Sequence, residues 1–124
     1  MKFVIMALLT VHGLIHAIGF AGAWGLAEIK GVSPVPTDIV AAQATDPIVR
    51  VLGLVWLLAL AAFLVAAYLL LVNSPAWRPL ALAAVLVSTV PVALWWQNAF
   101  LGTLVNTLVV AAVLLGPKLE GVAA

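Results

Sequence analysis

The chain has 124 residues, of which 67% are hydrophobic and 7% are charged, and its formal net charge is +1. An ordinary soluble domain has about a quarter of its residues charged, so this composition excludes a water-soluble fold and predicts a protein whose solvent is the lipid bilayer. The small net charge gives no basis for nucleic-acid binding, and the lack of cysteine excludes disulfides, thiolate metal sites and thiol redox chemistry.

Four apolar stretches follow one another along the chain. We predict spans over about residues 3–24, 48–72, 80–96 and 99–115, with an outer loop over about 25–47. At roughly 1.5 Å per residue, the two shorter spans need flanking residues to cover the roughly 30 Å hydrocarbon layer. The sequence therefore predicts one domain, an all-α bundle of four transmembrane helices.

Helix-ending residues mark the boundaries of these stretches. Asp46 followed by Pro47 predicts the start of the second helix, and Asn73 with the residues after it predicts its end. Gly116 followed by Pro117 predicts the end of the fourth helix. In the outer loop, Thr37 and Asp38 could cap a short helix, and a lid and a simple connector are equally compatible with this composition.

The distribution of basic residues predicts the orientation in the membrane. One side carries Lys2, Arg78 and Lys118, and the opposite side carries Lys30 and Arg50. By the positive-inside rule, both termini face the cytoplasm, and we expect a multi-pass protein of a bacterial inner membrane. As an alternative, the first stretch could be a signal peptide cut after the small residues at 21–23. Four tryptophans fall near the predicted interfaces, where they would act as anchors, namely Trp24, Trp77, Trp95 and Trp96.

Small residues recur at four-residue steps on the first helix, and we interpret them as a ridge that admits a neighbouring helix backbone. The ridge consists of Gly13, Ala17, Ala21 and Gly25. It lies beside His12 and His16, which are one helical turn apart. A helix with such a ridge is expected to be central, with its histidines pointing into the protein.

Counting depth from the outer interface at about 1.5 Å per residue brings several polar side chains of different helices to one level. The predicted intramembrane polar layer consists of His12, His16, Trp56, Ser88, Thr89 and Asn106. A polar group without a partner in hydrocarbon costs several kcal/mol, so these side chains are expected to turn inward and bind one another. Pro91 frees the carbonyl of Val87 as a further acceptor.

The two histidines admit several kinds of chemistry, and they are the candidate cofactor-binding residues. His12 and His16 could share a metal ion, but no Cys, Asp or Glu lies within a span to complete the site. Axial ligation of one haem by both is disfavoured, because neighbouring imidazoles on one helix project the same way. A proton relay and a purely structural role, with neutral imidazoles tying helices together, remain alternatives. The sequence requires no cofactor.

Three segments of the sequence stand out together, namely His12-Gly13-Leu14-Ile15-His16 through Phe20, Trp56-Leu57, and the run from Asn98 to Asn106. They resemble a family of small bacterial four-helix membrane proteins without an assigned function, and the chain has a looser similarity to DoxX-like proteins. The resemblance implies the four-helix architecture and nothing about activity. Because the chain has no catalytic motif, we expect a non-catalytic membrane subunit or a module that binds a small molecule or lipid. The alternatives are a redox or metal-associated protein using the histidines, and a carrier that works as an oligomer or within a larger membrane complex.

Overall fold

A computed structural model describes residues 1–36 and 47–123 of the chain, with side chains through residue 116. All the secondary structure in these ranges is helical, so the predicted all-α class is confirmed. The helices are α1 (Lys2–Ala23), α2 (Pro47–Leu71), α3 (Trp77–Leu94), α4 (Trp96–Ala99) and α5 (Leu101–Ala123). The predictions for Thr37, Asp38 and Asp46 lie outside the described residues.

Three of the helices, α1, α2 and α3, are long and apolar enough to cross a membrane. The apolar part of α5, Leu101–Gly116, is shorter, and at about 1.5 Å per residue it reaches roughly 24 Å. The structure thus supports a helical protein with three membrane-length helices and a fourth, shorter apolar helix.

Several predicted boundaries differ from those observed. The third helix ends at Leu94 and not at about 96, and the short helix α4 separates it from α5, which begins at Leu101. The third helix begins at Trp77, three residues before the predicted position. The backbone amides of Trp77 and Arg78 already donate hydrogen bonds to the carbonyls of Ser74 and Pro75, which forms the first turns. The prediction that Gly116 and Pro117 end the last helix is wrong, since α5 continues to Ala123. A proline removes only its own backbone N–H, so a helix can bend there and continue.

The ends of α1 and α2 are closed by the same backbone arrangement. At the end of α1, the amides of Gly25 and Leu26 donate to the carbonyls of Gly22 and Ala21, and Gly25 has a φ of +65°. At the end of α2, Asn73 takes the equivalent position with a φ of 59°. This left-handed residue after a helix end favours glycine or asparagine, so the predicted end of α2 at Asn73 agrees with the structure.

Consecutive long helices pack antiparallel. Lys2 Nζ donates to the carbonyl of Leu71 (2.9 Å) and to Asn73 Oδ1 (2.7 Å), which joins the start of α1 to the end of α2. At the other end, Trp24 Nε1 donates to the carbonyl of Arg50 (2.9 Å). Helix α1 packs along α2, α2 along α3 and α3 along α5, whereas α1 and α5 meet over a much smaller surface. The bundle therefore has one open side, between its first and last helices.

Candidate functional site

Four polar side chains from three helices meet in the interior of the bundle. His12 and His16 come from α1, Ser88 from α3 and Asn106 from α5, and all four are buried. His12 Nε2 lies 2.7 Å from Asn106 Oδ1, and His16 Nε2 lies 2.7 Å from Ser88 Oγ. Asn106 Nδ2 donates to Ser88 Oγ (3.2 Å), and His16 Nδ1 lies 2.7 Å from the carbonyl of His12. We call this closed set of hydrogen bonds the polar ring.

The direction of every bond in the polar ring follows from one backbone carbonyl. The His12 carbonyl can only accept, so His16 Nδ1 must carry a hydrogen, and in a neutral imidazole Nε2 is then bare. Ser88 donates its single hydrogen to His16 Nε2 and therefore accepts from the Asn106 amide. This leaves Asn106 Oδ1 as the acceptor for His12 Nε2–H. The ring runs in one direction, and the two imidazoles are opposite tautomers.

Two aromatic side chains of α2 enclose the imidazoles from the remaining side. The Phe63 ring lies 4.8 Å from the His12 ring and 5.4 Å from the His16 ring, centroid to centroid. The Trp56 ring meets the His16 ring edge to face at 5.3 Å. All four long helices thus contribute side chains to this level of the bundle. Phe63 was missed from the sequence, although it lies seven residues after Trp56, a spacing that puts both on one helix face.

The predicted layer residues fall into two groups in the structure. His12, His16, Ser88 and Asn106 form the polar ring, whereas Trp56 makes a ring contact with His16 and no hydrogen bond in the polar ring. Thr89 does not join, because its hydroxyl donates to the carbonyl of Val85 in its own helix (2.8 Å). The histidines do not donate to the freed carbonyl of Val87, since they bond instead to Asn106, Ser88 and the His12 carbonyl.

The predicted ridge of small residues is only partly a helix contact. An ideal Cβ on Gly13 would lie 2.9 Å from the Cβ of Phe63, so α1 and α2 approach closely there. Ala17 and Ala21 are half-buried. The assignment of Gly25 to the ridge is wrong, because α1 ends at Ala23 and Gly25 is an exposed residue that closes the helix.

Two further glycines, which the sequence analysis did not single out, also mark close approaches between α1 and α2. An ideal Cβ on Gly19 would lie 2.5 Å from two indole carbons of Trp56, and one on Gly53 would lie 2.6 Å from Trp24 Cδ1. Each glycine therefore faces a tryptophan of the other helix. No four-residue repeat reveals them, since each is defined by a partner on another helix.

Two of the four predicted interface tryptophans are in fact core residues. Trp77 and Trp95 are 3% and 2% exposed, so the interpretation of these two as interface anchors is wrong. Trp95 follows the last residue of α3, where the break before α4 turns its ring inward against Trp56, at 5.6 Å between ring centroids. Trp96 is 48% exposed and keeps a surface position.

The described part of the outer loop is held onto the bundle end by Trp95 and Asn98. Trp95 Nε1 donates to the carbonyl of Ser33 (3.1 Å), and Asn98 Nδ2 donates to that of Gly31 (3.0 Å). The amide of Ser33 donates back to Asn98 Oδ1 (3.1 Å). These bonds place residues 31–33 over the end of α3 and over α4.

A cavity of about 320 Å³ lies between the polar ring and this loop, on the side where α1 and α5 are least in contact. We call it the lateral cavity. Its inner wall includes His12, His16, Trp56 and Trp95, and its outer rim includes the exposed side chains of Ile15, Ile18 and Leu101. Its lining is largely apolar, and among the described residues no charged side chain lines it.

The polar ring constrains the chemistry that the histidines can perform. His16 uses both ring nitrogens in hydrogen bonds, so coordination of a metal ion or a haem iron by His16 would require the polar ring to open. Within residues 1–36 and 47–116, no three His, Cys, Asp or Glu side chains lie close enough to share an ion. In the arrangement observed, the imidazoles join helices and form part of a cavity wall.

Comparison with known proteins adds no relative from which a role could be transferred. No protein-family model, curated protein or solved structure matches this chain.

Proposed function

We propose that this chain is a non-catalytic, multi-pass protein of a bacterial inner membrane that binds a small lipid-soluble molecule in the lateral cavity. In this proposal α1, α2, α3 and the apolar part of α5 all cross the bilayer, in agreement with the resemblance to small four-helix membrane proteins. The observation that carries the proposal is the cavity itself, an apolar space of about 320 Å³ bordered by buried aromatic and imidazole rings.

The size and lining of the cavity favour occupation by a small apolar molecule over occupation by water. Small-molecule sites have volumes of about 300–1,000 Å³ with mostly apolar walls and few polar groups, and this cavity meets both criteria. An apolar cavity of about 150 Å³ stays dry and binds benzene, so the volume here suits a molecule of about two rings.

The position of the rim supports entry from the membrane. Ile15 and Ile18 of α1 and Leu101 of α5 are exposed and apolar, as expected of side chains in contact with lipid tails. A molecule dissolved in the hydrocarbon layer could pass between them into the cavity without crossing a polar surface. A charged or strongly hydrated molecule would lose its hydration on the same path without gaining a charged partner.

The polar ring has a supporting role in this proposal. It joins α1 to α3 and α5 directly beside the cavity, on the side where the helices pack least. A fixed set of bonds at this level keeps the cavity walls in place before a ligand arrives, and such preorganisation lowers the cost of binding.

Filling the cavity tests the proposal. Val105 lines the cavity, whereas its neighbour Leu104 is exposed and does not. We expect fluorine NMR titration in lipid nanodiscs to detect binding of fluorinated indane, a two-ring hydrocarbon, to the wild-type protein. Val105→Phe should abolish the binding because the added ring occupies the space, and Leu104→Phe should preserve it. No binding to the wild-type protein, or equal binding to both variants, would contradict the proposal.

The proposed orientation is tested separately with reporter fusions. A reporter after Ala124 is expected in the cytoplasm and one inserted near Val35 on the opposite side, because Lys2 and Arg78 lie at the same end of the bundle as the predicted cytoplasmic termini. If both reporters give the same compartment, the chain does not cross the membrane four times as proposed.

A further inference from the structure

One hydrogen-bond donor in the wall of the lateral cavity has no acceptor among the described residues. Trp56 is 6% exposed, and its indole Nε1–H is buried without an acceptor among the described residues. A buried donor that is left unpaired is unfavourable, and the few that occur in folded proteins call for an explanation such as a missing water, ion or ligand.

The other N–H donors of the wall are already engaged, and His12 Nε2–H donates to Asn106 Oδ1. His16 bonds to Ser88 and to the His12 carbonyl, and Trp95 Nε1 donates to the carbonyl of Ser33. Asn98 both accepts from and donates to the outer loop. The indole of Trp56 is therefore the buried donor in this wall that a ligand can satisfy.

The position of Trp56 is fixed by its surroundings. Its ring packs over Gly19 so closely that an ideal Cβ there would lie 2.5 Å from the indole, and it meets the rings of His16 and Trp95 at 5.3 and 5.6 Å. The indole cannot turn to seek an acceptor without losing these contacts. The N–H has no access to solvent, so an incoming molecule must displace neighbouring wall side chains slightly to bring an acceptor to it.

We infer that the ligand of the lateral cavity is a neutral, lipid-soluble ring compound with a carbonyl oxygen that accepts a hydrogen bond from Trp56 Nε1–H. This inference rests on the proposed function and names the ligand class for the same cavity. Neutrality follows from the uncharged lining, and a flat ring suits walls formed by Trp56, Trp95 and His16. A carbonyl oxygen on such a ring accepts in the ring plane, which lets the ring pack against these walls while its oxygen meets the indole N–H.

A pair of probes that differ only in the carbonyl group tests the inference. Fluorinated indanone and fluorinated indane have the same two-ring skeleton, and both are titrated in nanodiscs with fluorine NMR detection. We expect indanone to bind the wild-type protein about five-fold more tightly than indane, the ratio for one hydrogen bond of ordinary strength. Partition into lipid is the same for each protein variant, so comparing this ratio between variants isolates the contribution of the protein.

Trp56→Phe removes the donor and should reduce the ratio to about one, because phenylalanine retains an aromatic ring but has no N–H. Trp96→Phe is the matched control, since Trp96 is half exposed and lies outside the lateral cavity, and it should keep the wild-type ratio. In the wild-type protein, the indole N–H resonance of Trp56 should move downfield with indanone and stay in place with indane. This last measurement tests the inference even if Trp56→Phe fails to fold.

The possible outcomes separate the two proposals. If indane and indanone bind the wild-type protein equally, or if the Trp56 resonance does not respond to indanone, the inference is wrong and the cavity remains a binding site. Tighter binding of fluorinated indanol than of indanone would also overturn the choice of a carbonyl compound. If neither indane nor indanone binds the wild-type protein, the proposed function itself fails.

Discussion

The two sides of α1 show opposite ways of packing a helix. Toward α2 it forms what we call the closed seam, where Gly13, Gly19 and Gly53 each face a large aromatic side chain at a distance that leaves no room for a methyl group. Toward α5 it forms the open seam, where His12 and Asn106 bond across the bundle and the lateral cavity separates the helices beside them. Packing holds the first side and hydrogen bonds hold the second.

The difference arises because both seams form in a hydrocarbon solvent and not in water. Between apolar helices in lipid there is little hydrophobic gain, so the closed seam depends on close contact between small residues and rings. The open seam lacks such pairs along most of its length, and the hydrogen bond between His12 and Asn106 holds it at one level. Space for a ligand can persist on the open seam because the closed seam stabilises the bundle.

The largest effect is expected from a methyl group added to the closed seam. Gly13→Ala should lower the free energy of unfolding by about 2 kcal/mol, because the new Cβ meets the Cβ of Phe63, which cannot move without its backbone. Gly22→Ala is the control on the same helix, where the nearest atom lies 4.0 Å away and alanine favours the helix. Thermal unfolding in detergent measures both. Equal stability of the two variants would mean that α1 and α2 can move apart at the closed seam without a loss of stability.

A smaller loss is expected from breaking the polar ring beside the open seam. His16→Ala should cost about 1 to 2 kcal/mol, since it leaves the hydroxyl of Ser88 without its acceptor. His16→Gln should recover much of this loss, because an amide can both donate and accept. Thr89→Val serves as the control, since the Thr89 hydroxyl bonds only within its own helix. If His16→Ala were as stable as the wild-type protein, the polar ring would not be what stabilises the bundle beside the open seam.

The contrast between the seams also shows which features of the structure can be predicted from the sequence. Apolar runs of membrane length predict helices because an isolated segment in lipid can satisfy its backbone only as a helix. Depth counting brought His16, Ser88 and Asn106 to one level, but which nitrogen meets which oxygen depends on how each helix is rotated. Trp95 was assigned to the interface because the break between α3 and α4, which turns its ring inward, leaves no signal in the apolar pattern.

The smallest effect concerns the loop that covers the cavity. Asn98→Ala removes both bonds to residues 31–33 and should cost less than about 1 kcal/mol, since these groups are exposed to solvent. It should nevertheless accelerate hydrogen exchange of the Ser33 amide, and Gln97→Ala should not. Unchanged exchange in Asn98→Ala would show that other contacts hold this part of the loop over the open seam.

The most direct test of the polar ring is the position of one proton on each histidine. Nitrogen NMR distinguishes a protonated from a bare imidazole nitrogen, and the bonds observed require opposite tautomers. We expect His16 to be protonated at Nδ1 and bare at Nε2, and His12 to be protonated at Nε2 and bare at Nδ1. The same tautomer on both residues, or a hydrogen on His16 Nε2, would contradict a one-directional ring that joins α1 to α3 and α5.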